Sequence, residues 1–383
     1  MVRAIVVVVI AALVAASPAA GAPTQTPKRG GTVVVAIPAP EPACLNVVVP
    51  RCGTGSAINS LLAVSQKVLA QPFDVGPGFT WRPGLVSRVD FTRKRPFTLT
   101  YRIRPEARWS DGVAVSARDF LFTLRMIRAH GSEESRQHHR FVRTIRAVDA
   151  KTVRVVLRPR FAGWRGLFGS ILPSHALRGR DLTDVWRDGI DDPRTGRPIG
   201  SGPFLVERLE RGRQLTLVRN PRYWGRGGPA SLERIVVRFS VDGNTLVDSF
   251  RRGELDVALA FPPAFFPALR GQRELTTVSA PGVAWEHLEI RVGPGGHPAL
   301  RDKRVRQALV YGIDRVAIVR ALFGEIDPNL PPSDSAIYPI QSRHYRPNWG
   351  GYRFRPAEAR RRLEQAGCRR GADGIYVCFG QRL

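Results

Sequence analysis

The sequence predicts a multi-domain protein of mixed α/β and α+β class, built from short elements. Three observations carry that reading. Apolar residues recur with period two in some segments and at helical spacing in others, and the two kinds mix without strict strand–helix–strand alternation. Thirty-one prolines and 37 glycines in 383 residues demand frequent turns and connections. An apolar content of 43% with 8% aromatics belongs to a chain with a sizeable buried core, and the length allows two or three domains.

The first 22 residues read as a signal peptide. Arg3 supplies the positive start, Ala4 to Ala16 is an unbroken apolar run, and Ser17-Pro-Ala-Ala-Gly-Ala22 is a small-residue stretch. The run is short for a bilayer span, so an export signal is expected, cut after Ala22 or Ala19. No cysteine at the junction offers a lipid attachment point. The four cysteines suit an oxidising destination. Cys44 and Cys52 are close in sequence, as are Cys368 and Cys378, and neither spacing is a CxxC motif. Two local disulfides are predicted; a four-thiolate zinc site would require the distant pairs to meet.

Beyond a polar linker, Gly30-Gly31 opens a strand over Thr32 to Ile37, apolar enough for burial on both faces. Prolines exclude regular structure from Pro38 to Pro50. Ile58, Leu61, Leu62 and Leu69 are spaced as a helix face, and Val86–Phe91 and Phe97–Ile103 read as antiparallel strands. Next comes the most particular stretch of the chain, Arg104-Pro-Glu-Ala-Arg-Trp-Ser-Asp-Gly112. Pro105 stops the strand, and Gly112 supplies a positive φ in the turn. Ser116 and Asp119 then form a capping-box-like start for a helix burying Phe120, Leu121, Leu124 and Ile127.

His130 to Arg140 is predicted as a polar loop or helix end, with His138-His139 at the surface rather than on a metal. Strands follow at 142–148 and 152–157, then a packed irregular segment at 161–177 with a short helix. Asp181 to Pro198 is charged and turn-rich, with Asp191-Asp192 expected as a solvated pair. The next module has strands at 204–209 and 214–219, another around Ile235 to Phe239, a helix capped by Asp242 and ended by Gly253, and a strand at 255–259. A further strand is expected over Trp285 to Arg291, then helices over His297–Tyr311, Asp314–Phe323 and from Pro356 to Gly367.

The formal net charge of +27 comes from 59 basic residues, only five of them lysine, spread through every segment. Nucleic-acid binders concentrate charge on one face and interleave stacking aromatics. That pattern is absent, so no nucleic-acid partner is predicted, although anionic lipid heads or wall polymers should attract such a chain.

Trp109-Ser-Asp-Gly112 followed by Ala117-x-Asp-Phe120 resembles the hallmark of family 5 extracellular solute-binding proteins, the oligopeptide-, dipeptide- and nickel-binding components of ABC importers. Other segments agree in order: Gly30-Gly-Thr-Val-Val-Val-Ala-Ile37, Ile171-Leu-Pro-Ser-His-Ala176, Gly200-Ser-Gly-Pro-Phe204, Arg219-Asn-Pro-x-Tyr-Trp224, Gly253-Glu-Leu-Asp256, Val305-Arg-Gln-Ala308 and Gly312-Ile-Asp-Arg315.

The resemblance implies a two-lobed, periplasmic-binding-protein type II-like fold with an extra peripheral domain. Residues 23–45 and 199–280 would form lobe I, 46–198 the peripheral domain, and 281–383 the start of lobe II. Family members continue well past Leu383, so a truncated second lobe is expected. The implied function is a non-enzymatic, exported receptor, monomeric and without cofactor or metal. It would capture a peptide or similar solute for a membrane permease and its ATPase. Trp109, Ser110, Asp111, Gly112, Gly200, Gly202 and Pro203 are expected to be structural. Ligand contacts are expected from Glu41 and Pro42, after the first strand, and from Trp285 and His287. An exported hydrolase with disulfides is the alternative from another class; it would need a triad or metal cluster that no spacing provides. A non-functional fragment of such a receptor is the third reading.

Overall fold

A computed structural model of the chain describes residues 29–76, 80–92, 94–259, 266–269, 275–279, 287–335 and 337–383, with the backbone of 5–9. The chain divides into two compact units. The first holds residues 1–262 and 271–278, the second 263–270 and 279–383.

In the first unit β1 is Ile5–Val9 and β2 is Thr32–Ile37. The expected buried strand is only half so: β2 is buried at Ala36 and Ile37 and progressively exposed toward Thr32. Helix α1 (Ala57–Val68) buries Leu61, Val64 and Val68, an i, i+3, i+7 face; of the residues read from the sequence, Leu61 lies on it, Ile58 is half-buried, Leu62 is exposed and Leu69 is buried just past the helix end. Then come β3 (Phe73–Gly76), β4 (Thr80–Pro83), β5 (Val86–Phe91) and β6 (Thr98–Ile103). Helix α2 (Ala117–His130) begins with the predicted capping box, in which the Asp119 carboxylate accepts the Ser116 N–H at 2.8 Å.

The polar segment after it is more ordered than expected. It forms α3 (Glu133–Arg140), and His139 faces inward rather than outward. Strands β7 (Val142–Ala147) and β8 (Thr152–Leu157), and the short α4 (Ser174–Leu177), follow. Asp192 is likewise buried, chelated by Arg194 at 2.7 and 3.0 Å, so Asp191-Asp192 is not a solvated pair. The Arg194 hydrogen bonds hold the Asp192 carboxyl below its ordinary pKa. The unit closes with β9 (Phe204–Glu210), β10 (Gln214–Arg219), β11 (Arg234–Phe239), α5 (Gly243–Arg251) and β12 (Val257–Leu259).

A seven-stranded mixed sheet runs β13-β1-β12-β2-β11-β10-β9, where β13 is Leu275–Ser279. β2 lies parallel to both β11 and β12, while β9, β10 and β11 are antiparallel. A separate antiparallel sheet runs β5-β6-β8-β7. One contiguous core joins Ile37, Leu61 and Val237 to Leu99, Tyr101, Phe120 and Val155. The Cys44–Cys52 disulfide lies within it.

The second unit holds four helices among the described residues, α6 (Phe266–Leu269), α7 (Lys303–Gly312), α8 (Arg315–Phe323) and α9 (Pro356–Gln365), joined by long irregular segments. The helix predicted over 297–311 is split at Asp302. Its backbone is extended there, and its side chain caps α7 by accepting the Arg304 N–H at 2.7 Å. Residues 287–291 form no strand, contrary to the sequence reading. Three very short strands, β14 (Arg369–Arg370), β15 (Tyr376–Cys378) and β16 (Gln381–Arg382), surround the Cys368–Cys378 disulfide. Both predicted disulfides are therefore formed.

Candidate functional site

Four of the sequence motifs, at 109–120, 171–176, 200–204 and 219–224, meet at one place in the first unit, and Asp119 is its centre. One carboxylate oxygen accepts the Ser116 N–H at 2.8 Å and the Trp109 indole N–H at 3.4 Å. The other accepts the Ser174 N–H at 2.9 Å and hydroxyl at 2.7 Å. A single buried side chain thus ties the Trp-Ser-Asp-Gly turn, the start of α2 and the Leu-Pro-Ser-His segment together. Trp109 itself is fully buried. Next to it, the Asp111 carboxylate meets His175 Nε2 at 2.7 Å. Gly112 takes φ +97°, as the turn requires. Lys151 adds a further tie: its ammonium donates to the carbonyls of Arg104, Ala107 and Val115 at 3.2, 3.0 and 2.8 Å. Burial, helped by neighbouring Arg108, lowers its pKa.

The Gly-Ser-Gly-Pro turn docks on the same locus. Ser110 N–H donates to Gly200 O at 2.8 Å, and the amides of Ser201 and Gly202 both reach Val68 O. A Cβ on Gly202 would lie 2.3 Å from the Lys67 carbonyl, so only glycine fits that approach. Asn220 closes the assembly, donating its amide side chain to Gly202 O and its N–H to Pro203 O. Arg222 then donates to Ser110 O at 2.9 Å. An open cavity of about 530 Å³ lies beside this knot, lined by Glu106, Arg108, Asp111, Gly112 and Pro221 to Trp224.

The four candidate ligand contacts are placed differently. Glu41 is already engaged: one oxygen accepts from Arg211 at 2.7 Å and the other from the Gly212 N–H at 2.8 Å. Arg211 also bonds Asp188 and the carbonyls of Pro42, Ala43 and Arg187, stitching the β9–β10 turn to the segment after β2. Nothing in the sequence marked Arg211 among 54 arginines. Pro42 is buried there. His287 is partly exposed, with Nε2 3.2 Å from Glu289. Trp285 lies outside the described residues. Among the described residues no group of three or more His, Cys, Asp or Glu is placed to hold a metal, and no helix is long and apolar enough to cross a membrane.

The profile described as "Bacterial extracellular solute-binding proteins, family 5 Middle" matches residues 80–382, and the chain belongs to that family. The oligopeptide-binding protein OppA of Mycobacterium tuberculosis is 29% identical over 323 residues, 80% of this chain and 52% of the relative. The chain therefore spans about half the length of that curated relative. Among solved structures, the periplasmic EDTA-binding protein EppA superposes with a TM-score of 0.72 at 23% identity, covering 94% of this chain and 68% of the other. AppA of Bacillus subtilis, solved with a nonapeptide, gives 0.70 at 19%, covering 93% and 68%. The fold is that of these proteins.

Proposed function

We propose that the chain is an exported solute receptor that captures a peptide or similar small solute and delivers it to the permease and ATPase of an ABC importer. Family membership across residues 80–382 is the observation that carries this reading. The peptide receptors OppA and AppA among its relatives favour peptide as the ligand class, and the EDTA-binding protein EppA makes EDTA, free or metal-loaded, the natural competitor in any test. In this reading, 23–45 and 199–280 form lobe I, 46–198 the peripheral domain and 281–383 the beginning of lobe II. Residues 1–22 direct export, and their removal takes β1 out of the seven-stranded sheet of the exported receptor. The receptor is a monomer and turns nothing over.

Ligand would meet Glu41, Pro42, Trp285 and His287. An amine reaching Glu41 must share or displace Arg211 and the Gly212 N–H. The decisive experiment titrates the secreted gene product calorimetrically with peptides of graded length and with metal–EDTA, alongside peptidase and esterase assays. Saturable peptide binding without turnover is expected; no peptide binding, or hydrolysis, would overturn the proposal. His287→Ala should weaken peptide binding roughly tenfold, the size of one lost polar contact in a desolvated site.

A further inference from the structure

The four-stranded sheet β5-β6-β8-β7 has one face in the core, through Leu99, Tyr101, Ile103, Val153, Val155 and Leu157. Its other face is an arginine–threonine surface whose layout follows from the strand register. Arg88 sits opposite Arg102, which sits opposite Thr152. On the next rung, Asp90 pairs with Thr100, Thr100 with Arg154, and Arg154 with Arg146. Thr98, Val156 and Thr144 make the third.

Like charges directly opposite each other on adjacent strands destabilise a sheet. Asp90 relieves the first pair, lying 2.5 Å from Arg88 and 3.4 Å from Arg102. Asp149, in the β7–β8 turn, adds a second negative charge near Arg102. Arg146 and Arg154 are different: among the described residues neither has a carboxylate within ion-pair distance. Two arginines are thus paired in register on adjacent strands, neither with a carboxylate partner of its own among the described residues. A guanidinium fork matches phosphate bidentately, and Arg88, Arg102, Arg154 and Arg146 stand on four successive strands, so that they span roughly 14 Å and suit several phosphates in a plane rather than one small anion.

We propose that this face docks on an anionic phospholipid bilayer, Arg146 and Arg154 contacting the head-group phosphates with Arg88, Arg102 and the threonines beside them. The inference goes beyond the receptor reading and uses no part of the ligand site. Threonine is a good strand residue at such outward positions, so Arg146→Thr with Arg154→Thr leaves the fold intact, which an unchanged thermal melt verifies.

The test is sedimentation of the secreted gene product with vesicles of phosphatidylglycerol and phosphatidylcholine, against phosphatidylcholine alone, at low and high salt. Wild type should bind only the anionic vesicles, less so in high salt. The double variant should bind roughly tenfold or more weakly. A charge-matched control, Arg360→Gln with Arg369→Gln, should lose less than about twofold, since those exposed arginines lie in the second unit. Equal loss in both variants would reduce the effect to net charge and overturn the proposal. So would undiminished binding by the double variant, or binding confined to purified anionic wall polymer.

Discussion

Helix α2 in the first unit and helix α8 in the second carry similar apolar side chains and meet opposite fates. α2 buries Phe120, Phe122, Leu124 and Ile127, and its buried polar residues Asp119 and Thr123 are both hydrogen-bonded. α8 buries no residue, and Val316, Ile318 and Leu322 are each close to half exposed. The contrast extends to the cores. In the first unit large side chains, Trp109, Tyr101 and Phe120 among them, are fully buried. In the second the buried cluster is four alanines, Val305, Leu363 and one disulfide. Ile337 and Phe379 stand largely exposed there. Asp314 caps α8 by accepting the Ala317 N–H at 2.9 Å, but a helix of nine residues is marginal on its own in water, and packing adds little to this one. Burial, not helix formation, separates the two units.

The sharpest way to break this contrast is at its centre. Asp119→Ala leaves the Trp109 indole N–H and the Ser116 and Ser174 groups without their acceptor in a buried site. Each orphaned donor costs about 1–3 kcal/mol, so a loss of about 4 kcal/mol is expected from denaturant melts of the first unit. Gly202→Ala should approach that figure, because the added methyl meets backbone at Lys67 rather than a side chain that can turn away.

Matched truncations on the two helices come next. Leu124→Ala should cost about 3 kcal/mol. Leu322→Ala, starting from 48% exposure against 1% for Leu124, should cost less than about 1 kcal/mol. Equal losses would mean that α8 is covered in solution.

The same contrast explains what could be read in advance. Segments whose structure is decided locally were legible: the alternation of Leu99, Tyr101 and Ile103, the Ser116/Asp119 cap, the glycine at 112 and both disulfides. So was the family, and four of the motifs that carry the resemblance are pieces of the Asp119 knot. What escaped depends on distant partners. His139 looked polar because its neighbours are; it turned inward because Leu167, 28 residues on, presents a carbonyl to it. Glu41 looked available because Arg211 is 170 residues away. Asp302 broke a helix whose apolar spacing ran straight through it. Periodicity reports which face is apolar, and says nothing of what will meet it.

A smaller effect is expected where the second unit's core leans on its disulfide. Cys368 and Cys378 close a loop spanning ten residues, worth about 2–3 kcal/mol by the chain-entropy model. Replacing both by serine should expose the region 366–383 to limited proteolysis while the first unit stays resistant. The equivalent change at Cys44 and Cys52, inside a much larger core, should leave its surroundings protected.

The smallest effect concerns pH and returns to the inward-facing histidine. His139 Nδ1 lies 2.5 Å from the Ser135 carbonyl and Nε2 2.6 Å from that of Leu167. A neutral imidazole can donate to only one of them. Burial nevertheless pushes its pKa below the ordinary value against the pull of both carbonyls, and Arg128 and His138 push the same way. With the folded value depressed, the unfolded chain takes up the proton first. The contribution of neutral His139 is therefore full above about pH 6.5 and is lost as the pH falls through the folded value. The melting temperature of the first unit should fall between pH 7 and pH 5, and His139→Gln should flatten the part of that slope it causes. Should wild type instead gain stability over the variant on acidification, the two carbonyls would outweigh burial. His139 would then be a buried imidazolium bridging α3 to the segment at Leu167, and the inward turn of α3 would be electrostatic in origin rather than a consequence of packing against Phe168.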